Sequence, residues 1–196
     1  QYNPRDSGLT DAVASARTGA AHPAEDRGKT LRSTTDGYDP RELRRALGAF
    51  PTGVTVVTAH WQGMDWGMTC NSFSSVSLNP RLVLWSIRKE ASSLHAFTQS
   101  GGFTVSVLAS AQADLAMQFA KGSMPERFAG VPATRQASQR LRLDGAVAWF
   151  DCTLHQLVDA GDHHIVIGQV QDFGWQDSPA LAFSRSQFGQ FQALPA

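Results

Sequence analysis

Behind Asp39 and Pro40, the apolar positions Leu43, Ala46, Leu47 and Phe50 recur at helical spacing. The pattern predicts one amphipathic helix with Asp39 as its cap, Pro40 first and Glu42 third. The period then changes. Val54 to Ala59, VTVVTA, is β-branched and bounded by Gly53 and the glycine-containing WQGMDWG, which predicts a strand running into a hairpin turn. The stretch GMTCNSFSSVSLNP, residues 67–80, supplies the return strand and whatever follows it. RLVLWSI from Arg81 predicts a further strand, SSLHAFTQSGG a serine-capped helix closed by Gly101 or Gly102, FTVSVLA another strand, and SAQADLAMQFA a second short helix. After Gly145, AVAWFDCTLHQLVDAGDHHIVIGQVQDFGW holds two long apolar, β-rich runs hinged at Asp159 to Asp162, the signature of an antiparallel hairpin.

About six or seven strands, mostly hairpin-linked, against two or three short helices argue against a doubly wound parallel sheet and for a mainly β fold, a β-barrel with peripheral helices. The chain has 196 residues, 42% of them hydrophobic, enough for one domain with a core and too few for two. Residues 1–37 carry almost no large apolar side chain and are expected to form a disordered tail ahead of a domain over 38–196. Seventeen Lys plus Arg balance seventeen Asp plus Glu, so no net charge draws the chain to nucleic acid or to an anionic membrane. No apolar run approaches the roughly 20 residues of a membrane span, and no signal segment is evident, which sets the expectation of a cytoplasmic protein. Cys70 and Cys152 are expected to be packed thiols, with neither a disulfide framework nor a metal site.

Two readings compete for Thr69, Asn71, Ser72, Ser74, Ser75 and Ser77. They form the solvent face of an edge strand, with Phe73, Val76 and Leu78 facing the core, or they line a cleft in which small residues let a flat ligand approach the backbone and Asn71 offers both a donor and an acceptor. Nearby, Arg88 and Lys89 precede Ser92 and Ser93 at the expected start of a helix, a workable anion site.

RALGAFPTGVTVVTA, GMTCNSFSSVSLNPRLVLWSI, RFAG at Arg127 to Gly130 and AGDHHIVIGQV from Ala160 resemble, in order, successive motifs of the flavin reductase family with the FMN-binding split barrel. The resemblance covers about four fifths of the chain. It implies a six-stranded antiparallel split barrel of Greek-key type, usually a homodimer, that reduces FMN or FAD with NADH or NADPH and in many members hands the reduced flavin to a separate monooxygenase. Carried over, Thr52 and the segment Gly67, Met68, Thr69, Cys70, Asn71 and Ser72 would lie along the isoalloxazine ring, with backbone amides and Asn71 at its polar edge. Ser86, Lys89, Ser92 and Ser93 would hold the ribityl and phosphate end. His163 matches the histidine of the family's GDH motif near flavin and nicotinamide, with Asp162 a candidate to orient it and His164 expected on the opposite strand face. Arg185 is a candidate contact to the dinucleotide, and Trp61 and Trp66 are read as ordinary packing. The sequence departs from the pattern at Cys70, Gln169 and Phe188, where relatives often carry Ala, Glu and Tyr. The rival readings are a flavoenzyme that keeps its flavin and serves another acceptor, and a non-catalytic flavin-binding or sensory module.

Overall fold

The computed structural model describes residues 39–194, so the expected tail over 1–37 lies outside the described residues. Helix α1, Pro40–Leu47, starts where the sequence predicts, with Asp39 accepting from the Arg41 N–H at 2.8 Å. Its apolar stripe is not buried: Leu43, Leu47 and Phe50 are 48%, 67% and 75% exposed, because no other described element covers them. The chain then runs through β1 (Thr52–Gly53), β2 (Thr55–Trp61), β3 (Met64–Cys70), β4 (Ser74–Leu78) and β5 (Arg81–Arg88). After α2 (Leu94–Gln99) come β6 (Gly102–Val107), a 3-10 turn at Ser110–Gln112, α3 (Ala113–Ala120) and α4 (Met124–Phe128). The short pair β7 (Ala133–Arg135) and β8 (Leu141–Leu143) precedes the long strands β9 (Ala148–Ala160) and β10 (His163–Trp175), and β11 (Leu181–Ser184) and β12 (Gln187–Gln190) close the chain.

Seven strands form one antiparallel sheet in the order β3-β2-β6-β9-β10-β5-β4, while β1, β11 and β12 form a second and β7 and β8 a third. Laid flat, seven strands would separate the edges by about 29 Å. The two edge strands, β3 and β4, are nevertheless joined by the three residues 71–73, a link that spans at most about 14 Å. The sheet therefore has to curl into a barrel, with a split between its edges. It has seven strands where the resemblance implies six, since the short edge strand β4 pairs with β5.

Alternation along the strands then divides the core. Val57, Ala59, Met68, Cys70, Val83, Trp85, Ile87, Phe103, Val105, Cys152 and Val166 fill the barrel. Val54, Val56, Leu108, Phe119, Leu143, Leu181 and Phe183 form a second cluster on the barrel's outer side, against α3. Strand β2 is buried on both faces, which is why VTVVTA reads as a continuous apolar run rather than an alternating one. Gly168 is required inside: a methyl there would lie 2.9 Å from Cys152 Cβ and collide with the Phe103 ring. The expectation that Val76 and Leu78 face the core fails. They are 47% and 92% exposed, because a bulge between Ser75 and Ser77 breaks the alternation of β4; Phe73 does pack on the barrel core.

The RFAG motif acquires a structural role. Arg127, 4% exposed, donates from Nη1 to the Gly67 carbonyl at 2.9 Å and from Nε to the Gly122 carbonyl at 3.3 Å, tying α4 to the edge of β3. At the far end of the β2–β3 hairpin, Arg135 donates to both Asp65 oxygens, at 3.0 and 2.6 Å, and His60 Nδ1 lies 2.8 Å from Oδ1. Burial pushes the Asp65 carboxyl up, but the Arg135 and His60 hydrogen bonds outweigh it and hold the group below the usual carboxylate range. A depressed folded pKa stabilises the fold above the unfolded value, and that stability is lost as pH falls through the folded value. We therefore expect Asp65→Asn to flatten the fall in thermal stability below about pH 4, as measured by melting scans across pH; an acid limb unchanged by the substitution would contradict this.

Candidate functional site

The residues 71–73 bridge the split, and Ser72 pins them across it. Its Oγ accepts the Ser86 N–H at 2.9 Å and lies 3.5 Å from both the Ser86 carbonyl and Cys70 Sγ. The hydroxyl thus replaces a strand partner that β5 lacks at this point, and it holds the half-buried Asn71 next to it in sequence at the edge of β5. Register determines what stands on that face. Ser86 is opposite Ile165 and Arg88 opposite His163, whereas Trp85 and Val166 alternate inward. One residue beyond Arg88, the Lys89 N–H donates to the Asp162 carbonyl at 3.0 Å, holding the end of β5 against the β9–β10 turn. The Ser86 hydroxyl, the Arg88 guanidinium and the His163 imidazole so share the outward face of this end of the ladder.

The segment from Gly67 to Ser72 is divided by the fold. Gly67 is buried beneath Phe119 and Phe128, and its N–H meets Met124 Sδ at 3.3 Å. Met68 and Cys70 point into the barrel core, 3% and 5% exposed. Thr69 is fully buried and donates to the Ala116 carbonyl at 2.6 Å. Gly67 and the side chains of Met68, Thr69 and Cys70 serve packing, and in this segment only Asn71 and Ser72 carry theirs to the surface. Thr52, half-buried on β1, turns its hydroxyl to the Phe183 carbonyl at 3.5 Å. Ser92 is exposed, but Ser93 is buried, makes no side-chain cap on α2 and directs its Oγ toward Met68 Sδ at 4.0 Å. The serine cap expected there is therefore absent, because Ser93 adopts helical backbone angles already.

His163 Nδ1 lies 2.7 Å from Asp162 Oδ1. That hydrogen bond, with the His163 charge, holds the Asp162 carboxyl below the usual range, so the carboxylate only accepts and Nδ1 must carry the proton. Nε2 is the ring nitrogen turned away from Asp162. His164, next along β10, alternates to the inward face with Val166, and its Nδ1 is buried without a partner. Lys89 Nζ pairs with Asp159 Oδ2 at 2.7 Å. Asp159 had no role in the sequence beyond marking the hinge; only the register of the β9–β10 hairpin brings it beside Lys89. Arg185 sits exposed in the β11–β12 turn with φ of 49°, its N–H donating to the Gly48 carbonyl at 2.8 Å, away from the residues gathered around Ser86 in sequence and sheet.

Other reactive groups are spoken for. Burial and the neighbouring Asp151 charge push the Cys152 thiol up to about 12, which leaves it inert at neutral pH. Trp61 and Trp66 pack edge-on against His95, with ring centroids 4.8 and 4.9 Å away. No group of three metal-ligating side chains occurs among the described residues, and no described helix is long and apolar enough to cross a membrane.

The polar groups placed along this edge are the Ser72 and Ser86 hydroxyls, with Arg88 and His163 at the end of the ladder and the Asn71 amide next to Ser72. The chain also matches the flavin reductase like domain over residues 47–192. It belongs to that family. It is 45% identical over 149 residues to the reductase component of a flavin-dependent trigonelline monooxygenase from Acinetobacter baylyi, covering 76% of this chain and 48% of that one. It is 40% identical over 162 residues to the NADH-dependent FMN reductase SmoA of Agrobacterium fabrum, covering 79% and 88%. The solved structure of the NADH:FAD oxidoreductase SgcE6 of Streptomyces globisporus superposes with a TM-score of 0.78 at 36% identity, over 84% of this chain and all of that one. The chain spans about half the length of two curated relatives it matches, 48% and 50%. The antiparallel barrel described above is the fold these flavin reductase structures share with it.

Proposed function

We propose that this chain reduces FMN or FAD with NADH or NADPH and supplies reduced flavin to a partner monooxygenase. The observation that carries the reading is the Ser72 bridge to Ser86, which ties the link carrying Asn71 to the strand whose outward residues Ser86 and Arg88 stand opposite Ile165 and His163. Bound flavin would supply the electron sink, taking a hydride from the nicotinamide and one proton. The chain's own residues have the simpler tasks of holding and aligning two rings at reacting distance. Lys89 and the hydroxyls of Ser86 and Ser92 bind the phosphate and ribityl end, Ser93 acts through the packing of α2, and Asn71 orients the ring edge. Gly67 to Cys70 support that edge through backbone and packing. His163 Nε2 hydrogen-bonds the nicotinamide carboxamide or delivers the proton. An affinity near the micromolar range, about 8 kcal/mol, suits a flavin that has to leave.

A homodimer belongs to the same proposal. The outward residues Leu82, Leu84, Ile165 and Ile167 form an apolar patch on the β5–β10 face beside the site, a surface suited to a second copy.

The test is a set of assays that follow nicotinamide absorbance, giving the full chain NADH or NADPH with and without FMN or FAD. Rapid oxidation that depends on added flavin is expected. Flavin binding with no oxidation would overturn the reading in favour of a sensory module, and flavin retained through gel filtration would point to an enzyme that keeps it.

A further inference from the structure

Lys89 already has an anionic partner. Its ammonium donates to Asp159 Oδ2 at 2.7 Å, with side-chain exposures of 35% for Lys89 and 71% for Asp159. The Lys89 hydrogen bond holds the Asp159 carboxyl below the usual range, so the carboxylate is charged at neutral pH. This pair does not position its own members. The Lys89 backbone is tied to Asp162 by its N–H, β5 is locked to β10 with Arg88 opposite His163, and β10 is locked to β9 with His164 opposite Asp159. Removing the Asp159 charge therefore leaves the Lys89 backbone where it stands and frees its ammonium to turn to another anion.

Two oxyanions then compete for one cation. A flavin phosphate carries nearly two negative charges, and at Lys89 it meets the Asp159 carboxylate already bonded to the same ammonium. The displaced carboxylate stays close by, fixed by the hairpin, and repels the bound phosphate. Exposed ion pairs are weak and exchange readily, so the competition shifts affinity without closing the site.

We propose that Asp159 sets flavin affinity: it is an internal counter-ion that the flavin phosphate displaces from Lys89, and it recaptures Lys89 as the flavin leaves. The inference rests on the flavin reading of the site. It gives that site a built-in release element, which a reductase that hands its product to another protein requires and an enzyme that retains its flavin does not.

The experiment is a titration of the full chain with FMN and, separately, with riboflavin, which lacks the phosphate, read by flavin fluorescence. Asp159→Asn is expected to lower the FMN Kd by about 2- to 5-fold, the range of an exposed ion pair, and to leave the riboflavin Kd unchanged. Lys89→Met is expected to raise the FMN Kd by at least about 10-fold, and Asp159→Asn added to it should then change nothing, which closes a double-mutant cycle. Asp159→Ser, with its melting temperature measured alongside, repeats the test with a different neutral side chain. An FMN Kd that is unchanged or raised in both Asp159 variants, while Lys89→Met weakens binding, overturns the competition. Equal tightening of FMN and riboflavin overturns it as well, since the phosphate would then play no part. If wild type binds neither flavin, the reading of the site falls first and the inference with it; if Lys89→Met binds FMN normally, the phosphate assignment falls while the flavin reading stands.

Discussion

Replacing His163 by alanine is expected to slow flavin-dependent oxidation of NADH by about 100-fold, the lower end of what a positioned acid–base group contributes. The imidazole stands on the outward face opposite Arg88, held by the 2.7 Å hydrogen bond from Nδ1 to Asp162, with Nε2 left to meet substrate. Alanine removes the group without disturbing the ladder, because the pairing of β10 with β5 and β9 is made by backbone. The melting temperature should therefore move little. Asp162→Ala, which frees the ring to rotate, should fall between wild type and His163→Ala in rate, since it removes the orienting bond and keeps the imidazole. Steady-state rates within about twofold of wild type for His163→Ala would remove this residue from the chemistry and leave ring stacking as the main contribution.

The largest effect on stability is expected inside the molecule. Arg140 and Asp151 are 9% and 7% exposed and meet through Nε and Oδ1 at 2.8 Å. Thr104 donates to the same oxygen at 2.9 Å and in turn accepts from Gln136 at 3.0 Å, so the carboxylate joins β6, β9 and the segment before β8. Asp151→Ala leaves a buried guanidinium without its counter-charge, a defect that costs about 3 to 5 kcal/mol. For a domain of this size that corresponds to a fall in melting temperature of about 10 °C. Asp151→Asn, which keeps an acceptor, should lose less. A loss below about 1 kcal/mol for the alanine variant, measured by denaturant unfolding, would mean that water or another group already screens Arg140.

The long hairpin was legible because its two runs are apolar on both sides of a short polar hinge, and the structure turns between Ala160 and His163 with Gly161 at φ +67°. The Asp39 cap was legible because capping is a local interaction between a carboxylate and an N–H two residues away. Val76 and Leu78 misled for a physical reason: period-two reasoning assumes an unbroken ladder, and a bulge in an edge strand leaves no trace in the apolar pattern. Ser93 misled in the same way, since residue type signals a cap whether or not the backbone takes a cap conformation.

The candidate site shows the same division. Its motif residues could be named from order and spacing, yet which of them reach the surface depended on strand direction, and β3 turns Met68 and Cys70 into the barrel and Thr69 under α3. By itself the sequence determined the β-rich class, the places of most long strands and the chemistry available at Asn71, Lys89 and His163, because propensity, periodicity and side-chain type are properties of short segments. Only the tertiary structure decided the Ser72 bridge to Ser86, the burial of Arg127 and the pairing of Lys89 with Asp159, 70 positions apart by number. Those contacts follow from the curl of the sheet and the register of β5, β10 and β9, which no local pattern encodes.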